Sequence, residues 1–226
     1  GPGQGALTKW LIETGAEVFA LEADSELYNV LNEKFAFASN FQLVNADALK
    51  FDYSSFIGNR KAVLVSNLPY NISSPILRLF AGRREHFLRL VLMLQKEVVE
   101  RVTAPASSSN RGFLTVLCEE AFVIKKLFDV APGSFFPRPK ILSTVACFKP
   151  KEKTISDYQK FEGLLSKAFS QPRKTLLNNL KNGFSNAQEL LAAAGINPKR
   201  RPETLTLDEW INLLHLSEES AAFPIK

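Results

Sequence analysis

Asn67-Leu68-Pro69-Tyr70 follows directly on the apolar run Ala62 to Ser66 and carries the most specific chemistry in the sequence. An amine conjugated into an aromatic ring, such as adenine N6, is a weak nucleophile because its lone pair is delocalised. The Asn67 side-chain oxygen and the Leu68 carbonyl could accept both amine hydrogens and favour the pyramidal geometry that frees the lone pair. Pro69 fixes φ and so aims that carbonyl, while Tyr70 offers a face for a ring to stack on. The plainer reading is a proline loop around a buried tyrosine. A strand-end position downstream of a glycine loop and two acids favours the chemical one.

That glycine loop is Gly1-Pro2-Gly3-Gln4-Gly5-Ala6, and it runs straight into an amphipathic stretch. Glycines let backbone approach a ligand closely, and a helix N-terminus presents free N–H groups. The spacing satisfies the G-x-G-x-x-G/A pattern through Ala6, and Glu22 ends the next apolar run. On residues alone, this acid could hold the ribose of a nicotinamide dinucleotide or of S-adenosylmethionine. Asn45-Ala46-Asp47-Ala48 closes a further run with an acid at its carboxyl end, where open α/β sheets place ligands. Such a carboxylate can accept from an exocyclic amine, although an Asp in that position is more often a turn former.

The elements that must position these groups follow from periodicity. Runs at Glu17 to Leu21, Phe41 to Asn45, Ala62 to Ser66 and Leu88 to Leu94 read as buried parallel strands. Ser25 to Phe35 reads as a helix capped by Asp24. Ala121 to Val130 and Ser143 to Phe148, separated by Pro132, Pro137 and Pro139, suit an antiparallel pair at one sheet edge. After Pro150 the strand signals stop. Apolar stripes at Asp157 to Ser170, Lys174 to Lys181, Asn186 to Ala194 and Leu207 to Leu216 predict helices, with capping boxes at Ser185/Gln188 and Thr206/Glu209 and a stop at Gly195. The expected organisation is an α/β domain over residues 1–150 and a small all-helical domain over 151–226.

The chain has 226 residues, 46% apolar and 23% charged, the balance of a globular domain rather than a disordered or fibrous chain. No apolar run reaches the ~20 residues of a membrane span, and no signal-peptide pattern is present. Cys118, Cys147, His86 and His215 show no ligand spacing. The expectation is no metal, no membrane and a reducing, cytoplasmic compartment. Charge is uneven: residues 1–57 carry 3 basic and 8 acidic side chains, residues 58–201 carry 24 and 10, and residues 202–226 carry 1 and 5. The middle of the chain therefore faces an anion, as clustered cations do on a phosphate backbone.

Gly1-Pro2-Gly3-Gln4-Gly5, Glu22, Asp47, Asn67 to Ser73, Met93-Leu94-Gln95-Lys96-Glu97, Phe135-Phe136-Pro137-Arg138-Pro139-Lys140 and Arg173-Lys174-Thr175-Leu176 occur in that order. Over nearly the whole chain, this order resembles the KsgA/Dim family of ribosomal RNA adenine dimethyltransferases. The resemblance implies transfer of methyl groups from S-adenosyl-L-methionine to N6 of two adjacent adenosines, in the hairpin near the 3′ end of small-subunit ribosomal RNA. It implies a Rossmann-like methyltransferase sheet, mostly parallel with one antiparallel strand near an edge, and a small C-terminal helical domain that serves the RNA. Gly1, Gly3, Glu22, Asp47 and Ala48 would line the cofactor, with Asn67 bordering it. Asn67, Leu68, Pro69 and Tyr70 would hold the target base, with Phe135 as a second stacking face. Relatives also carry an upstream segment with the rest of the first strand, so the expectation is that the natural polypeptide begins before Gly1.

Candidates for RNA contact are Arg83, Arg84, Arg111, Arg138, Lys140, Arg173, Lys174, Lys199, Arg200 and Arg201. Each alone reads as a solvated charge; the set favours an RNA face. The expected partner is the immature small ribosomal subunit, and the expected state is a monomer. Three competitors share part of the pattern. An Erm-type enzyme acting on large-subunit RNA usually has Ile where Leu68 stands. A non-catalytic relative could bind ribosomal RNA as an assembly or transcription factor. A nicotinamide oxidoreductase would leave Asn67 to Tyr70 unexplained.

Overall fold

The computed structural model describes residues 1–222 other than Pro137 and Ser156. Pro137, one of the three prolines expected to mark the link before the last strand, therefore lies outside the described residues. The chain begins with α1 (Ala6–Glu13), β1 (Val18–Glu22), α2 (Ser25–Lys34), β2 (Phe41–Asn45), α3 (Tyr53–Ile57) and β3 (Ala62–Asn67). It continues with α4 (Ser73–Gly82), β4 (Phe87–Gln95), α5 (Lys96–Val102), α6 (Phe113–Ala121), β5 (Phe122–Val130) and β6 (Ser143–Pro150). The helices α7 (Tyr158–Ala168), α8 (Leu176–Leu180), α9 (Ala187–Ala193) and α10 (Leu207–Ala222) complete it.

All six expected strands form, but not as one continuous sheet. β1 and β2 pair in parallel, and β3-β4-β6-β5 form a second piece, with β6 antiparallel to both of its neighbours. The antiparallel edge is therefore as expected. The expected burial is not, because β1, β2 and β3 are only half-buried along most of their length. A chain of aromatic rings joins the two pieces: Phe19 of β1 stacks on Phe56 at 3.7 Å between centroids, and Phe51 meets Tyr53, which meets Phe80 of α4 edge-on at 5.4 Å. Such contacts add specific geometry to the area they bury.

Local chemistry explains the ends. The Asp24 carboxylate accepts from the Glu26 and Leu27 amides and starts α2. Thr206 and Glu209 form the expected capping box, at 2.8 and 3.2 Å. The Ser185/Gln188 box does not form. The turn after α8 holds Gly183 and Phe184 on the Leu180 carbonyl and Ala187 on that of Phe184, so Asn186 becomes the N-cap, without a side-chain bond.

Two apolar cores result, one under β3, β4 and β6 and one among the C-terminal helices. α6 serves both. Leu114, Cys118 and Ala121 enter the first core, and Val116 and Leu117 the second. The boundary expected at residue 150 is thus bridged by a helix from the sheet part.

Candidate active site

β1 and β2 end at the same level, Glu22 beside Asn45, and β3 ends at Asn67 beside Met93 of β4, which runs on to Gln95. The candidate groups stand at those ends. The Glu22 carbonyl accepts from Ala46 N–H at 3.0 Å and from the Asn45 side-chain amide at 2.8 Å, which ties the ends of β1 and β2 together. The Glu22 carboxylate is buried and accepts from Gly3 N–H at 3.3 Å and Asp24 N–H at 3.1 Å. A Cβ on Gly1 would stand 2.9 Å from Glu22 Oε2, so a larger residue there would have to push the carboxylate aside. Gly5 has φ 82°, and a Cβ there would meet the Phe35 ring at 2.7 Å. The loop is also held to α2 by Lys34 Nζ, which donates to the Gln4 carbonyl at 2.9 Å.

Asp47 behaves first as a turn former. Its Oδ1 accepts from Leu49 N–H at 2.9 Å, and its other oxygen lies 4.0 Å from Lys50 Nζ. It remains exposed to solvent. The Ala48 carbonyl accepts from the Tyr53 hydroxyl at 2.9 Å, so Ala48 anchors α3. Each carboxylate oxygen of Glu22 and Asp47 still has acceptor capacity beyond these bonds.

The sharpest part of the site lies at the end of β3. Leu68 N–H donates to the Met93 carbonyl at 3.2 Å, continuing the strand by one residue. Pro69, with φ −56° and ψ 137°, turns the chain into a short 3₁₀ segment at Tyr70–Ile72 and on into α4. The buried Ser73 hydroxyl donates to the Pro69 carbonyl at 3.3 Å. Among the described residues, nothing bonds to the Asn67 side chain or to the Leu68 carbonyl. These two acceptors open into a cleft of about 290 Å³, lined by Asn67, Leu68, Pro69, Tyr70, Phe135, Phe136 and Pro139. That volume is at the low end of the range for small-molecule sites. All five residues expected to hold a base therefore meet in one place.

Sequence reasoning missed what holds the Tyr70 ring. Its hydroxyl and that of buried Ser143 lie 3.2 Å apart, 73 residues away in sequence. Next to Ser143 the Thr144 hydroxyl donates to Asp129 at 2.6 Å, and Lys126 and Lys96 sit at 3.0 and 3.2 Å from the same carboxylate. The Thr144 hydroxyl, with the two ammonium groups, holds the Asp129 carboxyl down at about 2. Lys96 N–H also donates to the Leu142 carbonyl at 3.0 Å, fastening the loop before β6 to the end of β4. Apart from the i,i+3 pair of Lys126 with Asp129, no local pattern signals these contacts, because they join residues distant in sequence.

Three of the expected RNA-contacting cations are paired with carboxylates, and two of them, Arg84 and Arg111, are buried. Arg84 is 2% exposed and bonds Glu120 with both terminal nitrogens, at 2.9 and 2.6 Å. Arg111 is 4% exposed and reaches Glu119 at 2.6 Å and the Ala104 carbonyl at 3.2 Å. Arg200 forks onto Glu209 and Thr204. A buried guanidinium needs such partners, so Arg84 and Arg111 brace the fold, while half-buried Arg200 is tied to Glu209 and Thr204 with part of its side chain open to solvent. Arg138, Lys140, Arg173, Lys174, Lys199 and Arg201 are exposed, and Arg83 is half-buried. None of these seven has an ion pair among the described residues.

A family profile described as ribosomal RNA adenine dimethylase matches residues 1–219. The chain belongs to the ribosomal RNA adenine dimethylase family. Among dimethylase relatives, the ribosomal RNA small subunit methyltransferase A of Geobacter metallireducens is 43% identical over 94% of this chain and 82% of that protein. The protein of the same name from Pseudomonas fluorescens is 38% identical over 99% and 84%. The crystal structure of a dimethyladenosine transferase from Plasmodium falciparum superposes with a TM-score of 0.80 at 25% identity, covering 97% of this chain and 89% of that one. The 23S rRNA methyltransferase ErmE, at 21% identity and a TM-score of 0.66 over 96% and 88%, shares the fold. The dimethylase fold is thus α/β, with mostly parallel strands in two pieces and one antiparallel strand, β6, beside the edge strand β5.

Proposed function

We propose that this dimethylase family member transfers methyl groups from S-adenosyl-L-methionine to N6 of two adjacent adenosines near the 3′ end of small-subunit ribosomal RNA, on immature small subunits in the cytoplasm, as a monomer. The observation that carries this reading is the pair of unbonded acceptors, the Asn67 side chain and the Leu68 carbonyl, inside a cleft walled by Tyr70 and Phe135. Two relatives that match nearly the whole chain are named for the small subunit, which supports that substrate over the large-subunit alternative.

The residues at the strand ends fit an adenosine-containing cofactor by their chemistry. Glu22 would accept from ribose hydroxyls, Asp47 from the adenine amine, and the loop at Gly1 and Gly3 allows close approach. Bound there, S-adenosylmethionine supplies a methyl group already activated by its sulfonium. The remaining work falls to this chain's own residues. Asn67 and Leu68 accept from both hydrogens of the target amine, hold it pyramidal and fix its direction. Tyr70 and Phe135 stack on a base that has left its helix, offsetting the few kcal/mol this costs. Ser143 keeps the Tyr70 ring in place. No side chain is assigned as a general base.

Incubation with methyl-labelled cofactor and immature small subunits, followed by mapping of the label, tests the reading. Label on N6 of two adjacent adenosines near the 3′ end is expected. Label on large-subunit RNA, or none on RNA, overturns it.

The exposed cations predict steep salt dependence of RNA binding. If the six exposed candidates each neutralise one phosphate, log K should fall against log salt with a slope of about −4 for single-stranded contacts. Substituting Arg201 or Lys174 by Ala should flatten the slope by roughly 0.7 each, read by titration of a fluorescent RNA hairpin. A slope near zero would remove the proposed RNA face.

A further inference from the structure

Phe136 is fully exposed, at 102% of its reference area, on the rim of the cleft that Phe135 lines from within. Isolated exposed apolar side chains are ordinary on protein surfaces. Place and surroundings single this one out. Phe135 has extended backbone, φ −123° and ψ 151°, and in extended chain successive side chains point to opposite sides. One ring of the pair is therefore half-buried and the other stands in solvent. Among the described residues no other ring packs on Phe136. The loop that presents it is braced at its start, where Ser134 N–H donates to the Ala131 carbonyl at 3.0 Å and Phe135 N–H to that of Pro132 at 3.3 Å. Exposed Arg138 and Lys140 follow two and four residues later. A free aromatic face beside cations, at the mouth of a base-sized cleft, has the composition of a single-stranded nucleic-acid subsite.

We propose that Phe136 is a second stacking platform, which takes the RNA base next to the adenosine held on Tyr70 and Phe135. The proposal rests on the reading of the cleft as an adenine site. When one base leaves the stack, its neighbour loses a partner, and a ring at the rim replaces it. Arg138 and Lys140 meet the phosphates of the same short segment. Phe136 thereby fixes which nucleotide of the adjacent pair enters the cleft and which waits beside it.

The test uses a short RNA hairpin with two adjacent loop adenosines, one of them replaced by 2-aminopurine. That base carries its amine on C2, so Asn67 and Leu68 cannot hold it as they would N6, and the remaining adenosine enters the cleft. Stacking quenches 2-aminopurine. With the unsubstituted protein the probe, stacked on its neighbour in the free hairpin, should stay dark on binding; with Phe136→Ala it should brighten, and affinity should fall about tenfold, within the range for loss of one base–aromatic stack. Phe136→Trp should quench as well as Phe, whereas Phe136→Leu, apolar but without a π face, should behave like Ala. Equal brightness and affinity for Phe and Ala, or full rescue by Leu, overturns the proposal. The cleft reading fails separately, if labelled methyl is not transferred to the remaining adenosine; the fluorescence series decides the role of Phe136 in that case too.

Discussion

Asn67→Ala should reduce methyl transfer by at least about 10²–10³-fold, the loss seen when one preorganised polar contact to a reacting group is removed. The reason is geometric. The Leu68 carbonyl is fixed by the strand bond to Met93 and by the Pro69 backbone, so it survives the substitution, but one carbonyl can bind only one of the two amine hydrogens. The amine then relaxes towards the plane of its ring and its lone pair returns to the π system. Affinity for S-adenosylmethionine should change little, because its ribose and adenine are assigned to Glu22 of β1 and Asp47 just after β2, which the substitution leaves unchanged. Calorimetry with the cofactor and single-turnover methylation read the two effects apart. Asn67→Asp, which keeps an acceptor at the same position, should recover part of the rate. Full turnover by the Ala variant would refute the acceptor role.

The second large effect is on stability. Arg84 leaves the turn after α4 and meets Glu120 of α6 in a fully buried, two-pronged ion pair. Arg84 Nε also donates to the Lys151 carbonyl at 3.3 Å, and the Thr154 hydroxyl to Glu120 at 3.1 Å. This pair joins the sheet part, the shared helix and the start of the helical part. Removing one partner leaves a buried charge without its counter-ion, so Arg84→Met or Glu120→Leu should each cost about 3–5 kcal/mol. That is a large share of the ~5–15 kcal/mol that holds a domain folded. The double variant should recover most of the loss, because two apolar side chains of similar size need no pairing. Denaturant midpoints at constant slope measure it. Single losses under ~1 kcal/mol would show that the pair is not the brace described. The same geometry predicts that deleting residues 151–226 destabilises the sheet part. Deletion would expose Val116 and Leu117 and take Thr154 and the Lys151 carbonyl away from the ion pair.

What was legible in the sequence was local. β2 spans the apolar run read for it, Asp24 and Thr206 cap where hydroxyl or carboxylate and spacing allow, and the motif Asn67 to Tyr70 stands at a strand end. The cleft residues were legible for the same reason, since four of five are consecutive and the fifth precedes a proline motif. α6 escaped the periodic reading because it is buried on both sides, between two cores, and so has no polar face to make a stripe.

The sequence by itself determined the order of the six strands, the strand-end chemistry and the family, because these depend on neighbours along the chain. Tertiary structure alone decided which cations remain available to a polyanion. Arg84 and Arg138 are equally basic in the sequence, yet one lies against Glu120 and the other faces solvent. An arginine goes inside only where a carboxylate already waits, and Glu120 reaches Arg84 through the packing of α6 against α4, from 36 residues away.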